Sequence, residues 1–345
     1  MPIPVIALPG FLRTCAVMFL VIAGISLAGC GSPSFLVTPV SNLDDLEERR
    51  VQRGGWGGGK IAILEVDGML MNARAGALLG PTENPVSKFA QQLEAAEQDS
   101  AVKAVVLRIN SPGGTVTASD TMYELVRRFR ERTGKPVVAS MQEVAASGGY
   151  YVACAADTIV AQPTTVVGSI GVIFEAIQFK GTLDKLGVTT TSIKSGWLKD
   201  LGSPWKLLKE DEKEVMQQMV DEYFARFVDV VRTRRSIQEP ARNDLNEYKK
   251  QGYAGVYSGR VFSGAKAAEL GLVDQTGMLS DALDIARKLA KAPKASAVMY
   301  ARPYGYSGSI YADAPPATPR SGVVHLALPD AAGTLPTGFY YLWRP

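Results

Sequence analysis

From residue 61 onward the chain alternates between two apolar patterns. Ile61-Ala62-Ile63-Leu64-Glu65-Val66, Val102 to Ile109, Pro136 to Met141 and Thr158 to Ala161 are short, nearly continuous apolar runs, most of them rich in β-branched residues. That is the composition of strands buried on both faces. Between them, Val86, Phe89, Ala90 and Leu93, and then Met122, Leu125, Val126 and Phe129, recur at helical spacing. Thr117 or Ser119 is the expected cap of the second of these helices. Asn110-Ser111-Pro112-Gly113-Gly114 reads as a glycine turn that stops the second strand, and a short helix is expected over about 148–156. Strands alternating with helices predict βαβ units and a largely parallel sheet covered on both sides, an α/β fold. A longer amphipathic helix follows from Lys206 to Arg235, and its stripe of Met216, Met219, Val220, Phe224, Phe227 and Val231 reads as core or oligomer contact.

The two ends read differently. Arg13 is the one charge before residue 44, and Ala16 to Ala28 is an apolar run too short for a comfortable membrane span. It ends in Leu27-Ala28-Gly29-Cys30, followed by Gly31-Ser32, which resembles the bacterial lipoprotein box, in which the cysteine is lipidated after cleavage. The competing reading is an uncleaved anchor helix. Either places the remainder outside the cytoplasm, at a membrane surface. The expected organisation is a signal segment over 1–30 with Cys30 as the lipidation site, a flexible tether over 31–59, a folded domain over 60–294, and a Pro/Ala/Gly-rich tail over 295–345. The tail ends in the apolar patch Gly338-Phe339-Tyr340-Tyr341-Leu342-Trp343.

Composition removes several kinds of chemistry. Net charge is +3 with acids and bases interspersed, and no basic tract carries interleaved aromatics, so no nucleic-acid partner is expected. Arg232, Arg234 and Arg235 end the long helix, where cations suit the helix dipole. There is one histidine, His325, in the tail. Ser-His-Asp and Cys-His sites, and most zinc sites, need a histidine near the chemistry, so neither a histidine-assisted nucleophile nor a metal site is expected; no motif calls for a cofactor, and none is expected. The three cysteines form no framework, and Cys154, in Tyr150-Tyr151-Val152-Ala153-Cys154, reads as a small buried hydrophobe.

What remains is a serine. Ser147 lies between Ala145-Ala146 and Gly148-Gly149 at a strand-to-helix junction. Small neighbours admit a substrate backbone, and free N–H groups at the helix start suit an oxyanion. A capping serine would look the same. The Gly113-Gly114 turn follows another buried strand, so both turns fall at the carboxyl ends of parallel strands, where sites form. The amides of Gly148 and Gly114 are candidate oxyanion donors. The base must be something other than histidine, and the usual substitute is a lysine whose pKa is lowered by burial. Ile193-Lys194-Ser195-Gly196-Trp197-Leu198-Lys199-Asp200 offers Lys194 and Lys199, and residue chemistry alone does not choose between them.

Taken together, Asn110-Ser-Pro-Gly-Gly114, Ala145-Ala-Ser-Gly-Gly-Tyr-Tyr151, Gly168-Ser-Ile-Gly-Val172, Lys194-Ser-Gly-Trp-Leu-Lys-Asp200 and Gly259-Arg-Val-Phe-Ser-Gly264 with Gly271-Leu-Val-Asp274 resemble the bacterial signal peptide peptidase A (SppA) family, in that family's order. The resemblance implies a ClpP/crotonase-like fold of repeated ββα units with a helical extension, and a serine protease domain over 60–294. It implies Ser147 as nucleophile, Lys199 as base with Lys194 as second choice, Ser169 as a support for the lysine, and Gly113, Gly114 and Gly148 around the substrate carbonyl. It also implies assembly as a homo-oligomeric ring or dome in which a neighbouring protomer can lend the base. The substrates implied are cleaved signal peptides and similar apolar peptides, met at the membrane through a lipid anchor. Gly202-Ser203-Pro204 and the bulky Trp197 depart from the family pattern and bear on pocket shape. The tail resembles members whose C-terminal segment lies near the substrate groove, so Gly338 to Pro345 is expected to occupy that groove and be trimmed. The competing functions are a crotonase-like acyl-CoA enzyme and a non-catalytic scaffold of membrane-protein quality control.

Overall fold

The computed structural model describes residues 46–73, 84–235, 237, 255–301 and 338–343. The expected signal segment, with Cys30, lies outside the described residues, as does His325. In chain order the elements are β1 (Glu47–Gln52), β2 (Lys60–Leu70), α1 (Pro85–Gln98), β3 (Val102–Thr115), α2 (Val116–Thr133), β4 (Val137–Ala146), α3 (Gly148–Ala153), β5 (Thr158–Ala161), β6 (Val166–Gly168), β7 (Ile173–Glu175), α4 (Lys180–Lys185), α5 (Glu210–Arg234), β8 (Val261–Ser263), α6 (Gly264–Glu269), β9 (Gln275–Thr276), α7 (Leu279–Leu289), β10 (Ser296–Ala301) and β11 (Gly338–Leu342).

β2, β3, β4 and β5 form the parallel centre of the sheet, in the order β1-β10-β2-β3-β4-β5-β9. Side chains alternate across it. Ala62, Leu64, Val105 and Leu107 face α1 and α2, where Phe89, Leu93, Met122, Val126 and Phe129 complete the larger core. Ile61, Ile63, Val106 and Val138 face the other way, onto Leu279, Ala282, Leu283 and Ala286 of α7. Both faces are covered, which is why these strands lack a polar alternation. Cys154 is buried in the larger core, and burial pushes its thiol up to about 12.

Local chemistry sets the boundaries. Asn84 caps α1 by accepting from the amides of Val86 and Ser87, with Pro85 at the first helical position. Thr115, rather than Thr117 or Ser119, caps α2 by accepting from the Ala118 amide. The helix starts earlier because Asn110 to Gly114 does not end the strand: β3 continues through it, with shifts of register against β2 and β4. Ser119 is therefore inside the helix, and its hydroxyl donates back to the Thr115 carbonyl at 3.0 Å.

The sheet also extends past both expected boundaries of the folded domain. Residues 47–52 were expected in the tether and 296–301 in the tail, yet β1 pairs antiparallel with β10, and β10 lies parallel beside β2. β1 (EERRVQ) is an edge strand, polar because one side faces water. Every residue of β10 is buried. The arginines that end the long helix are structural: Arg234 donates to the carbonyls of Cys154 and Ala156, both at 2.9 Å, and Arg235 donates to both oxygens of Asp274 at 3.0 Å. Among the described residues no helix is long and apolar enough to cross a membrane.

Candidate active site

β4 has two halves with different neighbours. Val138 to Met141 pair with β5, whereas Val144 to Ala146 pair with β6, aligning Ala146 with Gly168. The strand then ends abruptly at Ser147, whose φ of 51° and ψ of −114° lie where L-residues are rarely found. Such strain costs on the order of 1–3 kcal/mol and persists only when the surroundings enforce it. Here they do: the Ser147 amide donates to the Gly168 carbonyl at 2.8 Å, and its carbonyl accepts from the Tyr151 amide at 2.9 Å. The turn holds a hydroxyl that is fully buried and has no hydrogen-bond partner among the described residues. A buried, unsatisfied polar atom is itself destabilising by about 1–3 kcal/mol. Ser147 thus carries two local penalties at one residue, neither of which a capping serine would need.

Where β4 turns away, the edge of β3 beyond Ser111 becomes free. β11 takes it, antiparallel, aligning Tyr340 with Thr115, Tyr341 with Gly114 and Leu342 with Gly113. Its other edge pairs with β7, and the Trp343 amide donates to the Pro112 carbonyl at 2.8 Å. The expected groove occupant, Gly338 to Pro345, therefore lies beside Ser147 over the described part, 338–343.

The glycines are there for close approach. Gly113 has φ 105°, and a Cβ built on it would lie 2.0 Å from the Tyr341 carbonyl oxygen and 2.7 Å from the Gly148 amide nitrogen. A Cβ on Gly148 would lie 2.3 Å from the Ser119 hydroxyl and 3.1 Å from that same Tyr341 oxygen. A Cβ on Gly114 would lie 1.9 Å from the Leu70 carbonyl oxygen. A peptide carbonyl is thus wedged between Gly113 and Gly148, at the first turn of α3. The Gly113 amide is already engaged, donating to the Ser111 hydroxyl at 3.1 Å, while Gly114 stands opposite Tyr341 in the ladder.

Ser169 follows Gly168 and so stands beside Ser147 at the ends of two paired strands. It too has a positive φ, 51°, and its amide donates to the Arg260 carbonyl at 2.8 Å. It opens onto a cavity of about 540 Å³ reached also by Tyr257, Phe224, Leu342 and Trp343.

The chain does not bring either lysine to this serine. Lys199 is exposed in the loop between α4 and α5, and its side chain makes no hydrogen bond or ion pair with a described residue. Lys194, also exposed, donates to the Trp197 carbonyl at 3.0 Å and to Asp200 at 2.6 Å. Lys206 donates to the same Asp200 oxygen, Oδ1, at 2.8 Å. These two ammonium groups hold the Asp200 carboxyl down at about 2. Lys194 is thus committed to the loop's own ion pairs, and Lys199 is not.

Sequence reasoning missed the support behind the serine. Tyr151, on α3, donates its phenol to Asp120 of α2 at 2.6 Å, and Arg226 of α5 grips Asp120 through contacts of 2.7–2.9 Å. Desolvation, and secondly the carboxylate, push the Tyr151 phenol far up, so it stays a donor. Asp120 and Arg226 are 106 positions apart, and no local spacing signals their meeting.

The profile of Peptidase family S49 matches residues 130–293, which hold Ser147, Ser169 and both lysines, and that of Clp protease matches 59–171, which hold the glycines and Ser147. A putative signal peptide peptidase SppA of Enterococcus faecium is 36% identical over 70% of this chain and 67% of its own length. The chain belongs to peptidase family S49. A putative protease of Synechocystis is 35% identical over 67% of this chain and 74% of its own. Protease 4 of Salmonella typhi is 35% identical over 68% of this chain but only 35% of its own length. The chain spans 63% of another relative, a putative protease of Methanocaldococcus jannaschii, at 37% identity. Among solved structures, a serine-to-alanine mutant of the 1510-N membrane-bound stomatin-specific protease has a TM-score of 0.39 at 12% identity, covering 66% of this chain and 84% of that one. S49 membership and the match to Clp protease assign this chain to the serine peptidases with a ClpP-like, mostly parallel α/β fold.

Proposed function

We propose that this S49 peptidase is a membrane-tethered endopeptidase that cleaves apolar peptides, released signal peptides among them, through an acyl-enzyme on Ser147 with Lys199 as base. One observation carries the reading. A peptide strand crosses the site with its carbonyl wedged between Gly113 and Gly148, the residue that follows a strained, buried serine whose hydroxyl has no partner among the described residues. That is the arrangement acyl transfer requires.

In the proposed reaction Ser147 Oγ attacks the carbonyl carbon of the substrate as its proton passes to the lysine amine. The resulting oxyanion lies against the amides of Gly148 and Gly114. The lysine returns the proton to the leaving nitrogen, the C–N bond breaks, and the new amino terminus departs. Water then attacks the ester carbonyl, giving up a proton to the lysine; the C–O bond to Ser147 breaks as the lysine passes that proton to Oγ, and the peptide acid leaves. Ser169, beside Ser147, steadies the amine.

A lysine serves as base only once it has lost its proton, which burial promotes. In one chain Lys199 is in water. The loop that carries it also exposes Ile193, Trp197, Trp205 and Leu207, and the preceding α4 region exposes Phe179, Leu186 and Val188. Apolar surface on this scale marks a contact face, which supports assembly as a ring or dome that carries Lys199 into a neighbour's site. Anchorage through a lipid on Cys30, on the extracytoplasmic side, completes the proposal and fits apolar substrates.

The test is labelling by a fluorophosphonate probe, read by mass spectrometry, on the assembled full chain and on Ser147→Ala, Lys199→Ala and Lys194→Ala. The expected label sits on Ser147, is lost in the first two variants and survives in the third. Mixing Ser147→Ala with Lys199→Ala chains then restores labelling if the base crosses between protomers. Undiminished labelling of Lys199→Ala would move the base elsewhere. No labelling of the assembled unmodified chain would leave the non-catalytic scaffold.

A further inference from the structure

Resting on that reading, we propose that the pocket holding Tyr341 is the specificity pocket for the residue on the amino side of the cut bond, and that it selects tyrosine. The carbonyl wedged between Gly113 and Gly148 belongs to Tyr341. A substrate strand in the same register places there the carbonyl that Ser147 attacks, and the side chain of that residue enters the space Tyr341 now fills.

That space is shaped for a phenol. Tyr341 is completely buried. Its ring stacks on Tyr151, with centroids 5.1 Å apart and 25° between planes, and meets Phe227 at 4.7 Å and 52°. Tyr123 backs Tyr151 edge-on at 5.2 Å. At the bottom of this aromatic box the Tyr341 hydroxyl donates to the Tyr223 carbonyl of α5 at 2.8 Å. An aliphatic side chain forfeits the ring contacts, and phenylalanine leaves that carbonyl without the phenolic donor. Burial also pushes the Tyr341 phenol up, so it remains a donor.

The box is tied to the nucleophile. Tyr151 is the wall that Asp120 and Arg226 hold in place, and its amide donates to the Ser147 carbonyl. A tyrosine in the box therefore packs against the same short helix whose first turn faces the carbonyl.

The measurement is a competition. Fluorogenic peptides identical except for Tyr, Phe, Leu or Ala before the cut are mixed pairwise with the unmodified full chain, and their rates of loss are compared. The chain's own β11 slows both members of a pair equally and cancels in the ratio. Tyrosine is expected to exceed phenylalanine by roughly two- to tenfold, the range one net hydrogen bond supplies, and alanine by on the order of a hundredfold. Phenylalanine equal to or better than tyrosine overturns the phenol selection; leucine or alanine preferred overturns the pocket. If nothing is cleaved, fluorescence anisotropy with the full chain carrying Ser147→Ala and Tyr341→Ala, its fold checked by circular dichroism, decides separately. Tyrosine-preferring binding there upholds the pocket while peptidase function falls, and binding without preference, or none, overturns the pocket.

Discussion

Replacing Tyr341 with alanine tests whether β11 guards the site. Tyr341 is wholly buried between Tyr151 and Phe227 and donates to the Tyr223 carbonyl. Removing a buried aromatic ring costs about 3–5 kcal/mol, and the lost hydrogen bond accounts for about 1 kcal/mol of that. At about 1.4 kcal/mol per tenfold, the docking equilibrium of β11 shifts by roughly two to four orders of magnitude. The ladder to β3 and β7 alone does not compensate, because ordering each residue of the strand costs about 1–2 kcal/mol. The groove then opens, and kcat/KM for a short tyrosine peptide rises. The rise lies between one and the full shift, limited by the fraction of chains already open. The assay is hydrolysis by the full chain, by Tyr341→Ala and by a chain ending near residue 320, with thermal melts to show that the sheet persists. The two altered chains are expected to agree with each other and to exceed the unmodified chain. Unchanged or lower activity in folded variants would refute the reasoning and make β11 a structural wall of the site.

Ser147→Gly is expected to abolish hydrolysis while stabilising the chain by about 1–3 kcal/mol, since glycine accepts the positive φ and removes an unsatisfied hydroxyl; calorimetry should show a Tm rise of roughly 2–6 °C, and a fall would contradict the strain argument. Gly113→Ala is expected to lower kcat/KM by on the order of a hundredfold or more, because its Cβ would occupy the space of the peptide carbonyl, 2.0 Å from its oxygen; retained activity would move the oxyanion position elsewhere. Asp200 is held at about 2 rather than 3.8 by Lys194 and Lys206. Its folded pKa is depressed, so its support of the loop is present above about pH 4 and fades as pH falls toward 2. Protection factors of residues 194–206, with exchange rates corrected for their intrinsic pH dependence, should fall in that window and not change between pH 5 and 8; Asp200→Asn should remove the step.

Much of this was legible in the chain because the signals are local. Buried parallel strands must be apolar on both faces, so Ile61 to Val66, Val102 to Ile109, Pro136 to Met141 and Thr158 to Ala161 announced themselves. Ser147, with its small neighbours, stood out, and the motif order pointed to the family the comparisons establish. Three elements were not legible. β1 is an edge strand whose polar composition resembles a linker. The Asn110 to Gly114 segment carries turn residues, yet β2 and β11 pair with it and extend it. β10 and β11 both lie within the stretch, 295–345, that composition alone reads as tail.

By itself, then, the sequence determined the fold class and the candidate nucleophile, and gave the expectation of a base other than histidine, because each follows from residue type and spacing along the chain. Tertiary structure alone decided that β11 fills the edge β4 vacates, that Lys194 is bound to Asp200 while the Lys199 side chain pairs with no described residue, and that Asp120, Tyr151 and Arg226 meet behind the serine. Those contacts join residues far apart in sequence. Their energies depend on burial, register and close approach, quantities that exist only once the chain has closed on itself.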